Sequence, residues 1–308
     1  MSLGTLPQIP TTTTKNSPLA FVTESRVWKY IQNLPYPGKI EEVGHLSKAL
    51  NSDDSFDGFK IDVGINHQEG IDSAHSFNIC TPNENNPIPK YNYQLVYAKG
   101  NTFCLGRLDS DRKLVGKIGS QFLDNRLGIY VVNSMNKEFQ TSLQLESDFR
   151  LNFANIGFKL DNQGTRILGF YTSLTKNFSF GYESTYVPMQ GAHIQQIVAR
   201  RNSGPLSYFG SVNNMLQMNL GVIFKKDNLE AASDFMAGMS NNGFMSHTSV
   251  SARYHFRNNA LKARVDTAGE LQFTLDEGIN PFVKVQYVAT MNYFTNEYKF
   301  CAGLTFNK

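Results

Sequence analysis

The sequence predicts an all-β protein, specifically a transmembrane β-barrel of about nineteen strands. From residue 56 to residue 308 apolar and polar residues alternate with a period of two, for example over 59–66 and 139–146. Each alternating segment is about 8–12 residues long, the length of a tilted membrane-spanning strand. Turn signals rich in Gly, Asn and Asp separate the segments, as at 99–101 and 161–164. The pattern therefore predicts one unbroken antiparallel meander.

The polar face of these strands carries too many charges to form a packed interior. Its charged members are Lys60, Asp62, Lys117, Glu146, Arg150, Glu183, Glu230, Asp234, Arg253, Lys262, Arg264, Asp266, Glu270, Asp276 and Lys284. One face must therefore meet water. That face would be the outside of a soluble all-β protein but the lining of a membrane barrel, and the periodicity is the same in both.

Two observations favour the barrel. The apolar face keeps large, often aromatic residues in strand after strand, and the sequence predicts no helix after residue 50 that could cover this face. A long open meander would also leave strand edges that invite aggregation, whereas a closed barrel has none. A barrel of about nineteen strands is wide enough for an aqueous channel.

The first fifty residues do not share this alternation. Residues 1–18 are rich in Thr and Pro and are expected to form a flexible tail. Residues 19–52 hold two short helical candidates, followed by the barrel over 56–308. The apolar residues of the two candidates are Phe21, Val22, Val27, Trp28 and Ile31 in the first, and Ile40, Val43, Leu46 and Leu50 in the second. Neither a secretory nor a matrix-targeting pattern is present.

Composition and motifs exclude several function classes. The net charge of +3, from 29 basic and 26 acidic residues, is too balanced for nucleic acid to be an expected partner. The chain has three cysteines, which are widely spaced and predict no disulfide framework. No apolar run is long enough for a helical membrane span. Nucleotide-binding, hydrolase and zinc-protease motifs are absent, so we expect no enzyme activity, cofactor or metal site.

Several stretches resemble the channel subunits of the mitochondrial outer-membrane protein translocase (the TOM complex), which belong to the eukaryotic porin family. Early stretches are a Pro-Gly pair with an acidic helix start at 37–42 and strand-like runs at 74–79, 88–91, 101–103 and 106–109. Late stretches lie at 252–257, 265–269 and 301–306. The resemblance covers residues 37–308.

The resemblance implies a barrel of nineteen strands that is closed by a parallel pair of first and last strands. It also implies that the helix bearing Ile40, Val43, Leu46 and Leu50 lies inside the lumen. The implied function is passive conduction of unfolded precursor proteins from the cytosol to the intermembrane space. The implied partners are presequences, receptor and small TOM subunits, the lipid bilayer, the barrel-assembly machinery and further pores of the same kind.

Two sets of site residues follow. Strand parity places seven acids on the lumen face, where the resemblance gives them a role in attracting basic presequences: Asp62, Glu146, Glu183, Glu230, Asp234, Glu270 and Asp276. An equally weighted interpretation is that these acids only hydrate the pore. The resemblance also implies a C-terminal insertion signal formed by Lys299, Cys301, Leu304 and Phe306, in which Cys301 stands where the family usually has glycine.

Two alternatives stay open. The first is a metabolite porin of the voltage-dependent anion channel type, which shares the barrel. That type begins with a helix very near its N-terminus and has a positively biased lumen, whereas this chain has about fifty residues before the first strand and a mixed polar face. The second is a soluble all-β interaction protein.

Overall fold

The computed structural model describes residues 30–31, 33–54, 58–67, 70–80, 90–240 and 243–307. The expected tail at 1–18 and most of the first helical candidate lie outside these ranges. Within them, strands dominate from Gly58 onward. No helix of the described residues is long and apolar enough to span a bilayer.

The described residues form nineteen strands, which follow one another in sequence order. They are β1 Gly58–His67, β2 Ile71–Cys80, β3 Tyr91–Lys99, β4 Thr102–Asp109, β5 Leu114–Phe122, β6 Leu127–Met135, β7 Thr141–Arg150, β8 Ala154–Asp161, β9 Arg166–Ser173, β10 Phe178–Val187, β11 Ala192–Ser203, β12 Leu206–Asn213, β13 Met218–Lys226, β14 Leu229–Ser240, β15 Gly243–Phe256, β16 Asn259–Asp266, β17 Glu270–Asn280, β18 Val283–Asn292 and β19 Glu297–Asn307. A 3₁₀ turn, Pro188–Gln190, lies between β10 and β11.

The strands close into a single barrel. Each strand pairs in antiparallel fashion with the next one along the chain, and β1 pairs with β19 in parallel, from Gly58 opposite Cys301 to Gly64 opposite Asn307. An odd number of alternating strands requires this, because the first and the last strand then run in the same direction. The predicted barrel of about nineteen strands is confirmed.

The barrel has two rims, which we name by the strands. At the start rim the odd-numbered strands begin, including β1 at Gly58. At the end rim the odd-numbered strands end, including β19 at Asn307. Most of the connections are turns of a few residues, as antiparallel neighbours allow.

Side chains alternate between the two faces of the wall. On β7 the apolar residues Leu143, Leu145 and Phe149 point outward and are 49%, 41% and 37% exposed, whereas Glu146 and Asp148 point inward. The same alternation leaves a broad apolar outer surface around the barrel. A continuous apolar surface of this kind is unfavourable in water, whereas a lipid bilayer stabilises it.

Between residues 33 and 54 the chain forms a 3₁₀ turn, Ile40–Glu42, and a helix, α1, His45–Leu50. The sequence predicted one helix through both parts. The structure divides it at Gly44, which has φ of +74° and lies against the ring of Phe209. A Cβ atom at residue 44 would be 2.8 Å from that ring, so both the backbone conformation and the close approach require glycine.

Candidate functional site

The contacts of the segment 33–54 show which face of the barrel wall lines the lumen. Its side chains and backbone contact residues of β7, β8, β9, β14 and β16, for example Asn155, Asp234 and Lys262. A single segment can reach strands spread so widely around a closed barrel only from the inside. The contacted residues belong to the polar face, which therefore lines the lumen.

An apolar seat on the lumen wall receives the segment. Val43 and Leu50, which are 8% and 0% exposed, form one buried cluster with side chains of the wall, and Ile40 and Leu46 pack against it. The wall residues of the seat are Tyr171, Val198, Phe209, Ile223 and Ala232. This interrupts the polar lining along β9 to β14 and gives the short helix the apolar contacts that it needs to be stable.

Asp234 on β14 fastens the helix from one side. The Ser47 hydroxyl donates a hydrogen bond to Oδ1 of Asp234 at 2.6 Å, and the Asn51 amide donates one to Oδ2 at 2.7 Å. Asp234 is 8% exposed, so both carboxylate oxygens are satisfied inside the lumen wall. Charge-assisted hydrogen bonds of this kind are stronger than neutral ones.

Lys262 on β16 fastens the chain just after the helix. Its ammonium group donates hydrogen bonds to the carboxylate of Asp54 at 2.5 Å and to the backbone oxygen of Ser52 at 3.0 Å. Lys262 is 2% exposed. Beside it, the Gln272 amide donates a hydrogen bond to Asp53 at 3.3 Å. Burying an ammonium group is costly unless it is paired, and these contacts supply the pairing.

The part of the segment before the helix is held near the end rim. The Ser173 hydroxyl donates a hydrogen bond to the backbone oxygen of Pro35 at 2.7 Å, and the Asn155 amide donates one to the Tyr36 hydroxyl at 3.1 Å. The Arg150 guanidinium lies 3.9 Å from the centre of the Tyr36 ring. Burial raises the pKa of Tyr36 above its ordinary value, against the opposing effect of Arg150.

An ion-pair network joins the segment to β7 and β8. Lys39 pairs with Asp148, and Glu41 pairs with Lys159. The ammonium group of Lys39 also lies 5.3 Å from the centre of the Tyr130 ring. Burial lowers the pKa of Lys39, but the hydrogen bond and the charge of Asp148 outweigh burial, and the net pKa is raised.

All seven acids expected on the lumen face lie on the face that the segment contacts. Most already have partners in the chain. Glu146 lies 2.9 Å from Lys117 and 3.9 Å from Lys159. Glu230 lies 2.7 Å from Lys225, and Glu270 lies 3.8 Å from Arg264.

The other four acids differ in surroundings. Asp234 holds the helix, as described above. Asp62 pairs with Lys60 at 2.9 Å and accepts a hydrogen bond from Ser76. Asp276 accepts a hydrogen bond from the Gln286 amide at 2.9 Å. Glu183 lines a cavity of about 250 Å³ together with Ile40, Glu41 and Val43 of the segment.

Among the polar residues that fasten the segment, the sequence identified Asp234 as a lumen acid but missed several others. Asp148, Lys262 and Gln272 were not among the expected site residues, nor were Asp53 and Asp54. Strand parity placed Lys262 on the polar face, but a period-two pattern carries no information about contacts across the lumen. Within the described ranges, no group of three or more His, Cys, Asp or Glu side chains is arranged to hold a metal ion.

The four residues of the expected insertion signal occupy both faces of β19. Leu304 and Phe306 lie on the outer face, opposite Ile61 and Val63 of β1. Lys299 and Cys301 lie on the inner face, and Cys301 is fully buried. Their role in insertion remains a prediction.

Comparison with known proteins gives both a family and relatives. The family model described as eukaryotic porin matches residues 36–300. The mitochondrial import receptor subunit TOM40 of Saccharomyces cerevisiae is 22% identical over 314 residues, which cover 88% of this chain and 78% of the relative. A variant of the porin of Rh. blastica has a TM-score of 0.46 at 11% identity, over 65% of this chain and 89% of the porin. A structure titled "Asymmetric conductivity of engineered proteins" has the same TM-score at 12% identity, over 64% of this chain and 88% of its own.

Proposed function

Because this chain belongs to the eukaryotic porin family, we propose that it is the protein-conducting channel of the mitochondrial outer-membrane translocase. The observation that carries the proposal is the similarity to TOM40, an import receptor subunit, over 88% of this chain. The proposed cargo is unfolded precursor protein, which passes from the cytosol to the intermembrane space. The proposed location is accordingly the mitochondrial outer membrane.

The lumen has properties that suit this cargo. An unfolded chain carries side chains of every kind, so a conduit for it needs contacts that are varied and weak enough to release. The wall offers acids and bases in pairs, as in Glu146 with Lys117, beside an apolar seat around Phe209. A pore biased to one charge would instead select small ions of the opposite sign.

Pairing within the wall bears on the proposed role of the acids. A basic presequence that approaches Glu146 or Glu230 exchanges one cation for another, so the net gain in free energy is small. Asp276 has an uncharged partner, the amide of Gln286. We therefore propose that Asp276 makes a stronger contact with presequences than Glu146 or Glu230, and that the paired acids make the contacts that release quickly.

The proposal extends to assembly. Receptor and small subunits of the translocase would contact the apolar outer wall, together with lipid and with further pores. The barrel-assembly machinery would read the signal formed by Lys299, Cys301, Leu304 and Phe306. Leu304 and Phe306 point outward beside β1, so a protein outside the barrel can contact both side chains, which supports this proposal.

A metabolite porin of the voltage-dependent anion channel type is the second candidate. The eukaryotic porin match favours it equally, because both types have the same fold. It predicts anion selectivity and indifference to presequence peptides.

Planar bilayer recordings test the proposal. The full chain is reconstituted, and a basic presequence peptide is added, with a control peptide in which glutamine replaces every basic residue. Protein conduction predicts current blockades by the basic peptide and weaker blockades after Asp276→Asn. Asp124→Asn, in the exposed turn between β5 and β6 at the same rim, should leave the blockades unchanged. Anion selectivity without any peptide effect would refute the proposal, as would failure of the chain to replace TOM40 in yeast.

A further inference from the structure

One part of the end rim is strongly basic. Between β9 and β16, the turns and strand ends at this rim carry six Lys or Arg residues and two acids. The bases are Lys176, Arg200, Arg201, Lys225, Lys226 and Arg257, and the acids are Asp227 and Glu230. The start-rim connections between β10 and β17 contain no Lys or Arg; they span residues 187–192, 213–218, 240–243 and 266–270. The positive charge is therefore confined to one end of these strands.

Two of the six bases face the lumen and have partners there. The ammonium group of Lys225 lies 2.7 Å from the carboxylate of Glu230. The Arg200 guanidinium donates a hydrogen bond to the side-chain oxygen of Asn202 at 3.1 Å. Both contacts lie on the inner face of the wall, so they do not neutralise the bases outside the lumen.

The other four bases point outward or lie in turns, and we name them the basic arc: Lys176, Arg201, Lys226 and Arg257. All four side chains are exposed. None of them forms an ion pair within the part of the chain that the structure describes. Asp227 is the one further acid of this region, so the basic arc keeps an excess of positive charge.

Two members of the basic arc extend from the membrane-facing side of the wall. Arg201 occupies an outward position of β11, directly between Phe178 of β10 and Tyr208 of β12. Lys226 occupies an outward position at the end of β13, opposite Leu229 of β14. Basic and aromatic side chains at the edge of an apolar wall are typical of the depth at which lipid headgroups lie. Both cations therefore lie where headgroups can reach them.

We propose that the basic arc binds the phosphate headgroups of anionic phospholipids in the leaflet at the end rim. Each Lys or Arg near an anionic membrane surface strengthens binding about fivefold. The guanidinium group can also pair with a phosphate through two parallel hydrogen bonds. Because the start rim lacks such an arc, the two leaflets differ in their contacts with this side of the barrel. The inference concerns the outer wall and does not depend on what passes through the pore.

The position of the basic arc favours lipid over an acidic protein domain at the mouth of the pore. A soluble domain that approaches from water reaches turn residues such as Lys176 and Arg257. Arg201 and Lys226 instead belong to the outer wall, where Lys226 follows outward-facing Phe224 along β13. Phospholipid is the ligand that contacts the apolar wall and these cations together.

Fluorescence quenching by brominated lipids tests the proposal at one point of the wall. The chain has one tryptophan, Trp28. Trp28→Phe combined with Tyr208→Trp therefore places the sole indole beside Arg201. The full chain is reconstituted in vesicles of phosphatidylcholine and phosphatidylglycerol, with one of the two lipids brominated at a time. Phosphatidylglycerol should quench the indole more strongly, because its headgroup carries a net negative charge.

Removal of the two outward cations should remove this preference. Arg201→Gln combined with Lys226→Gln should lower the binding of phosphatidylglycerol relative to phosphatidylcholine about tenfold at residue 208. Arg112→Gln combined with Lys113→Gln is the matched control, since it removes two cations from the start-rim turn between β4 and β5. It should leave the preference unchanged. A second reporter, Phe244→Trp in the same tryptophan-free background, lies at the start rim and should show no preference between the lipids.

Three outcomes would overturn the inference. Equal quenching by both lipids at residue 208 would show that the basic arc does not select anionic headgroups. An unchanged preference after substitution of Arg201 and Lys226 would place the binding elsewhere. Loss of the preference in millimolar inorganic phosphate at constant ionic strength would show that a free anion is the ligand. Should the double variant not assemble, Lys176→Gln with Arg257→Gln serves instead and should also lower the preference.

Discussion

The ammonium group of Lys262 lies 2.5 Å from the carboxylate of Asp54 and joins the barrel wall to the chain inside it. The two residues are 208 positions apart in sequence. The pair closes a long loop that contains fifteen complete strands, and it fixes where the segment leaves the lumen toward β1. Its removal should therefore affect the segment more than the wall.

Lys262→Met should loosen the segment without opening the barrel. The substitution leaves Asp54 without its cation, although that carboxylate is partly exposed, so we expect a cost of about 2 kcal/mol in the free energy of unfolding. Proteolysis near Asp54 should accelerate, and single-channel current should become noisier. Lys60→Met breaks the more exposed ion pair of Lys60 with Asp62 on the barrel wall. It should lower the free energy of unfolding by under about 1 kcal/mol and leave proteolysis of the segment unchanged.

Asp234 provides a graded test of the helix contacts. Asp234→Ala removes the acceptors for Ser47 and Asn51 and should destabilise the protein by about 1–3 kcal/mol. Asp234→Asn should cost less, because Asn51 has a buried, unpartnered Oδ1 that can accept from the new amide once the Asn51 side chain turns over. Thermal unfolding in detergent gives the order. Equal losses for both variants would show that the carboxylate charge, and not hydrogen bonding, holds the helix.

Leu50→Ala tests the apolar seat. Leu50 is completely buried against the lumen wall, so the truncation should cost about 2–5 kcal/mol and release α1. A spin label on the helix should report the added mobility. Leu216→Ala is the matched control, since Leu216 is 70% exposed in a turn and its truncation should change neither stability nor mobility.

A charge placed on alternate faces of β7 tests the membrane barrel. Leu145→Arg puts a cation on the lipid face near mid-strand and should cost about 2–4 kcal/mol, with impaired membrane insertion. Gln144→Arg puts the same cation in the lumen and should insert normally while shifting ion selectivity toward anions. Carbonate extraction and reversal potentials measure the two effects. Equal insertion of both variants would contradict the assigned faces.

The contact between Lys39 and Asp148 predicts a pH dependence of definite sign. The pKa of Lys39 is raised in the folded protein, so the stabilisation is complete below its ordinary pKa of 10.5 and is lost as the pH rises through the folded value. Protease resistance of the segment should be constant from neutral pH upward and should fall only in strong alkali. Lys39→Met lacks this titration, and its difference from the unmodified chain should vanish in that alkaline range.

Alternation and turn residues were sufficient to predict the strands, and the large residues on the apolar face favoured a barrel over a soluble all-β protein. The segment 59–66 alternates cleanly, and Ile61 and Val63 of β1 lie on the outer face opposite Leu304 and Phe306, as the pattern assigned. The turn at 99–101 separates β3 from β4 as its Gly and Asn indicated. These features are local, which is why a single sequence reveals them.

Contacts inside the lumen could not be predicted in the same way. The pattern places Lys262 and Asp234 on the polar face, but their partners depend on how the segment turns at Gly44, and that turn depends on the ring of Phe209. The apolar seat was also missed, because Val198 and Ile223 occupy polar-face positions and look like lapses in the alternation. They are explained only by the helix that covers them.

The parallel closure of β1 with β19 has a consequence for sidedness. Tyr30 contacts Leu174 at the end rim, and Asn307 ends β19 at the same rim. From Tyr30 at the end rim the segment runs through the lumen to the start rim, where β1 begins. Because the number of strands is odd, β19 ends at the end rim again. Protease sites introduced next to Tyr30 and next to Asn307 should therefore be cut from the same side of the membrane. Agreement between the two sites would give the orientation of the barrel in the membrane.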